Sequence, residues 1–147
     1  MIRALRLYAG PAALAHLRRD GLRPHDVGVV PGAAGGPKGL ILGPLDRFLF
    51  AQWLPRGGRE VHLVGASIGA WRLATACLTD CVAAFERLQQ DYIAQDYPIE
   101  PGRRWPHPRQ VSEAFAQELQ AFFGRRVHEV LGHPRVRPRP RRPRAAS

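Results

Sequence analysis

Apolar residues fall along this chain in two different rhythms. Two short runs, Val27-Gly28-Val29-Val30-Pro31 and Val61-His62-Leu63-Val64-Gly65, are compact, largely apolar and bounded by small or turn-forming residues, and they predict strands near 27–31 and 61–65. Elsewhere the spacing is helical. Residues 11–19, followed by Asp20-Gly21, read as a helix with proline near its start and glycine after its end. Leu40, Ile41, Leu42, Leu45, Phe48 and Leu49 predict helical segments that pack on the sheet as core, with Gly43-Pro44 as a kink or a fresh helix start. Leu73, Cys77, Leu78, Phe85, Leu88 and Tyr92 recur at helical spacing without a strong breaker until about Tyr97-Pro98, so one long helix is expected there. Residues 98–108 are proline-rich and read as a loop, and a further helix from about Val111 is expected to bury Phe115, Leu119 and Phe122. There is no internal repeat.

Where the second strand gives way to the helical pattern, the chain reads Gly65-Ala66-Ser67-Ile68-Gly69-Ala70, a GxSxG string in the strand–turn–helix setting of a nucleophile elbow. Ser67 is the candidate nucleophile. Gly65 and Gly69 supply the lack of bulk that lets strand and helix approach, and the helix start favours negative charge developing near the hydroxyl. About thirty residues upstream, the first strand runs into the small-residue loop Gly32-Ala33-Ala34-Gly35-Gly36-Pro37-Lys38-Gly39. Backbone N–H groups of Gly35, Gly36 and Ile68 are the candidate oxyanion donors, from two loops that each end a strand. A Walker loop is excluded because Pro37 and Gly39 flank Lys38. The dinucleotide fingerprint fails because Ala34 takes the first glycine position.

Together these residues resemble the patatin-like phospholipase family. Its glycine loop has the form Asp-Gly-Gly-Gly-x-Arg/Lys-Gly, which Ala33-Ala34-Gly35-Gly36-Pro37-Lys38-Gly39 matches with alanines at the first two places; the elbow from Gly65 to Ala70 matches without a departure, and the pair looks like a bacterial branch. The resemblance covers roughly residues 1–133, as the N-terminal portion of such a domain. It implies an α/β fold, a three-layer α/β/α arrangement around a parallel sheet, here incomplete. It also implies a serine acyl hydrolase acting on phospholipid or other lipid acyl esters, with peripheral membrane contact, a serine–aspartate dyad, and neither metal nor organic cofactor. Motif glycines are Gly39, Gly65 and Gly69. The family's aspartate sits in a later Asp-Gly motif, and this chain has none after Ser67, so the catalytic aspartate is not assigned to any residue and this chain is expected to be inactive.

Composition changes that picture at one end. Of 147 residues with a net charge of +10, the last fourteen, 134–147, hold six arginines and four prolines, and they read as a disordered tail too poor in apolar residues to order itself. A shifted or shortened reading frame would produce such a tail. The alternative reading is a non-catalytic basic module that binds anionic lipid or nucleic acid through it; nucleic acid is the less favoured partner, since no nucleic-acid motif accompanies the charge. No stretch reaches the roughly twenty apolar residues of a membrane span, and Arg3 and Arg6 interrupt any signal sequence, so the cytoplasm is the expected location, with peripheral membrane contact. Cys77 and Cys81, four apart, are expected as reduced core residues on one helix face. Lys38 is a candidate anion contact, with a solvent-facing lysine as the plainer reading. His62, His107, His128 and His133 lack a supporting motif and are expected in surface or loop roles.

Overall fold

A computed structural model describes residues 6–99, 101–134 and 136–138. Strands β1 (Val29–Gly32) and β2 (Val61–Gly65) pair in parallel, with Val29 opposite His62 and Gly32 opposite Gly65, so both strands end at the same edge of the sheet. The fold is mixed α/β around this small parallel sheet. Alternation along β2 decides which face is covered: Val61 and Leu63 are buried, while Val64 on the opposite face is exposed. Against the buried face pack Phe50, Leu54, Leu73, Ala76, Cys77 and Phe85. The opposite face shows Val29 and Val64 to solvent, and helix α1 (Pro11–Asp20) buries none of its residues.

Helix α1 has the bounds its caps demand, with proline at its start and Gly21 at φ 74° after its end. The segment after the glycine loop departs from the expected regular helix. A 3₁₀ turn (Gly36–Leu42) runs into α2 (Gly43–Phe48), then a π turn (Leu49–Trp53) and a second 3₁₀ turn (Leu54–Gly57). Each change of winding shifts the phase of the apolar stripe. Ile41, Leu42 and Phe48, expected in the core, are therefore exposed, and Phe50 and Leu54 take their places.

The long helix expected after Ser67 is broken into α3 (Ile68–Thr75) and α4 (Cys81–Ile93). Groups from a distant helix, α6 (Val127–Gly132), explain the break. Glu129 accepts the Thr79 N–H at 2.8 Å, and Arg126 bridges Glu129 and Asp80, so the turn's polar groups find partners outside any helix of their own. The Arg126 guanidinium and the Thr79 N–H hold the Glu129 carboxyl at about 2. As a result Cys77 sits in the turn and Cys81 opens α4, not together on one helix face as expected. Both are free thiols, and burial pushes Cys77 up to about 12, which keeps it protonated at neutral pH.

Helix α5 (Pro108–Phe123) starts three residues before the expected Val111, because His107 caps it: its Nδ1 accepts the Arg109 N–H at 3.2 Å. Phe122 is buried as expected, and Phe115 and Leu119 are half-buried. Val136–Pro138 forms a third strand, β3, parallel to β2 with Val136 opposite Val61. The expected disordered tail does not hold for these three residues, since pairing with an open strand edge uses backbone groups and needs no apolar side chains. Residue 135 and residues 139–147 of that expected tail lie outside the described residues. No helix among the described residues is long and apolar enough to cross a membrane.

Candidate active site

At the common end of β1 and β2 the chain turns sharply from Gly65 through Ser67 into α3. Ser67 has φ 52° and ψ −133°, and it is the one non-glycine residue with positive φ among the described residues. A side chain there strains the backbone by about 1–3 kcal/mol. The glycines on either side explain how the turn closes. A Cβ built at Gly65 would stand 2.5 Å from Ala70 Cα, and one at Gly69 would stand 2.3 Å from Gly32 O and 2.6 Å from Ala33 O. Strand ends and helix start therefore touch backbone to backbone, and any larger residue would force them apart.

The glycine loop is drawn over this elbow at both of its ends. Its first residues, Gly32 and Ala33, lie against Gly69, and Ala66 N–H donates to Gly32 O at 3.0 Å. Its last, Gly39, is buried against Ile68, whose Cγ2 would be 2.9 Å from a Cβ built there. Gly35 and Gly36 lie between these two anchored points. Gly36, at φ 53°, opens the 3₁₀ turn and Ile68 opens α3, so each presents a first N–H for which its own helix supplies no acceptor. Lys38 is exposed on the same turn. The structure thus brings Gly39, Gly65, Ile68 and Gly69 together around the Ser67 turn, with Gly35 and Gly36 in the stretch between the loop's two anchored points.

Among the described residues it brings no general base there. Among the described residues Ser67 Oγ makes no hydrogen bond to a carboxylate or an imidazole. Asp80 pairs with Arg126, Asp91 with Arg87, and Asp20 with Arg19. His62 lies beside Glu60, His107 caps α5, and His133 lines a cavity elsewhere. That cavity, about 780 Å³, is bounded by Phe50, Leu54, Val61, Leu78 and Cys81. It reaches β2 at Val61, the end opposite Ser67. No group of three or more His, Cys, Asp or Glu side chains among the described residues is placed to hold a metal ion.

Two features of the site were not found in the sequence. Arg72, five residues after Ser67, makes a bidentate ion pair with Asp46 of α2, both bonds 2.6 Å long and both residues buried. Because α2 continues directly from the glycine loop's 3₁₀ turn, this pair ties the loop's far side to α3, the helix that follows Ser67. A carboxylate among Leu45, Phe48 and Leu49 and an arginine beside Leu73 were the available signals. The second feature is an aromatic cluster of Trp71, Tyr92 and Phe115, with Trp71 and Phe115 ring centroids 5.1 Å apart.

The strain at Ser67 makes a prediction about stability alone. Ser67→Gly should raise the unfolding free energy by about 1 kcal/mol, the relief of strain exceeding the added entropy of an unfolded glycine. Ser67→Ala, which keeps a Cβ at the same φ, should leave it near wild type. Urea unfolding of the three proteins compares them; an equal or lower midpoint for Ser67→Gly would show an unstrained turn.

No protein-family model, no curated protein and no solved structure matches this chain.

Proposed function

We propose that this chain carries the nucleophile and oxyanion loop of a serine acyl hydrolase of the patatin type. The observation that carries the reading is the strained φ of Ser67 at a strand–helix turn, under a glycine loop anchored to the same turn at both ends. Unfavourable backbone geometry persists where surrounding structure enforces it, and such residues cluster at active sites. Ser67 Oγ attacks an acyl carbonyl, and N–H groups of Ile68, Gly35 and Gly36 receive the oxyanion. The three-layer patatin architecture belongs to the same proposal, with the helices packed on Leu63 as one of its layers. Lipid acyl esters are the substrate class, and Ile41 and Leu42, exposed just beyond the glycine loop, give a lipid surface something to touch.

That no described residue stands as a base beside Ser67 sets the expected level of activity. When a serine hydrolase loses triad members, the oxyanion hole and binding alone retain about 10³–10⁴-fold catalysis over water. This chain should therefore react slowly with an alkyl fluorophosphonate at Ser67 while hydrolysing nitrophenyl butyrate hardly above background. Intact-mass spectrometry should find one adduct, mapped to Ser67 and absent from Ser67→Ala. Folded protein that stays unmodified, or an adduct that persists in Ser67→Ala, overturns the proposal.

A further inference from the structure

Tyr92 occupies the last turn of α4, which ends at Ile93, and reaches back over the glycine loop. A Cβ built on Gly36 would find Tyr92 Oη at 3.9 Å, with no other atom within 4 Å outside its own stretch of chain. The ring is held from two sides, by Trp71 at 6.3 Å and Phe115 at 6.2 Å between centroids. Trp71 stands one turn after Ser67, so the same contact that fixes the tyrosine ring fixes it against the nucleophile's own helix. The hydroxyl makes no hydrogen bond to any described residue. Phenylalanine would fill the ring's place equally well, so packing accounts for the ring and leaves the hydroxyl unexplained.

We infer that the Tyr92 hydroxyl is a side-chain donor to the acyl oxygen at this site, beside the backbone N–H groups, an inference that rests on Ser67 being the nucleophile. In the addition step the bond from Ser67 Oγ to the acyl carbon forms, the carbonyl π pair moves onto oxygen, and the serine proton passes to a solvent base. Tyr92 keeps its own proton and shares it with that oxygen through a hydrogen bond. Tyrosine hydroxyls serve this role beside backbone N–H groups, and a donor held by ring contacts needs little reorganisation as the charge appears. The aromatic wall behind it also gives the substrate's acyl chain an apolar surface to follow.

The test uses the full chain and a short alkyl fluorophosphonate, whose phosphoryl oxygen stands in for the acyl oxygen. The bond from Ser67 Oγ to phosphorus forms and fluoride leaves with its bonding pair. Tyr92→Phe retains the ring, so it should keep the wild-type melting temperature and the wild-type KI while lowering kinact about a hundredfold. An unchanged kinact overturns the inference, as does a rise in KI alone, which assigns Tyr92 to the wall. A lowered melting temperature with both constants altered assigns it to packing and overturns it too. If wild type is folded and unlabelled, the nucleophile reading itself has failed and this inference with it. Failure with a labelled wild type touches Tyr92 only.

Discussion

Replacing Arg72 with methionine should destabilise the fold by about 3–5 kcal/mol, the usual effect of leaving a buried charge without its partner. Asp46 is 3% exposed, and its two carboxylate oxygens each accept a guanidinium N–H at 2.6 Å. Nothing replaces those two bonds when the guanidinium goes. Asp46→Leu in the same background removes the stranded charge, so the double variant should recover most of the loss, because apolar pairs of similar volume substitute for buried ion pairs with little net change. Urea unfolding of both single variants and the double reads the coupling directly. If Arg72→Met alone falls within about 0.5 kcal/mol of wild type, the pair does not anchor α2 to α3. Stability and reactivity should then separate: the double variant regains its fold but loses the directional tie between glycine loop and helix, so its Ser67 should label more slowly than wild type.

Gly69→Ala is the second large effect. The added methyl carbon would meet Gly32 O at 2.3 Å, Gly32 C at 2.4 Å and Ala33 O at 2.6 Å, all of them backbone atoms that no rotamer change can move aside. Strand β1 must shift away from α3, and overpacking of this kind is destabilising by about 1–3 kcal/mol, occasionally more. The glycine loop moves with the strand, so fluorophosphonate labelling should fall along with the melting temperature. Gly35→Ala is the matched control. Nothing beyond its chain neighbours lies within 4 Å of its built Cβ, and its φ of −175° is outside the left-handed region. Its stability should stay within about 0.5 kcal/mol of wild type. Equal melting temperatures for the two alanine variants would mean that the elbow is not closed by contact between main chains.

How much of this could be read in the sequence depends on how far apart the deciding groups lie. Strand β2, helix α1 and the elbow were legible because each is set by residues within a few positions: proline and glycine at the ends of α1, and small residues flanking Ser67. The close approach of strand and helix at Gly65 and Gly69 was legible for the same reason, whereas the contact of Gly69 with Gly32, from the other strand, was not. The break at 76–80 was not, since its cause is Glu129 and Arg126, about fifty residues later. Periodicity also misplaced Ile41, Leu42 and Phe48, because 3₁₀ and π winding replace the 3.6-residue repeat that the pattern assumes. Arg72 with Asp46 and Tyr92 with Gly36 are pairings across elements. No local signal announces which arginine will face which aspartate, although a charge inside an apolar stripe is a reason to look for one.

The two-point attachment of the glycine loop bears on how a ligand would arrive. A segment fastened at both ends to the helix it faces leaves only the short stretch between Ala33 and Gly39 to move, too little to swing clear as a long lid does. Association at Ser67 would wait on diffusion and orientation and not on an opening event, and the ordering entropy of the loop is already lost when the chain folds.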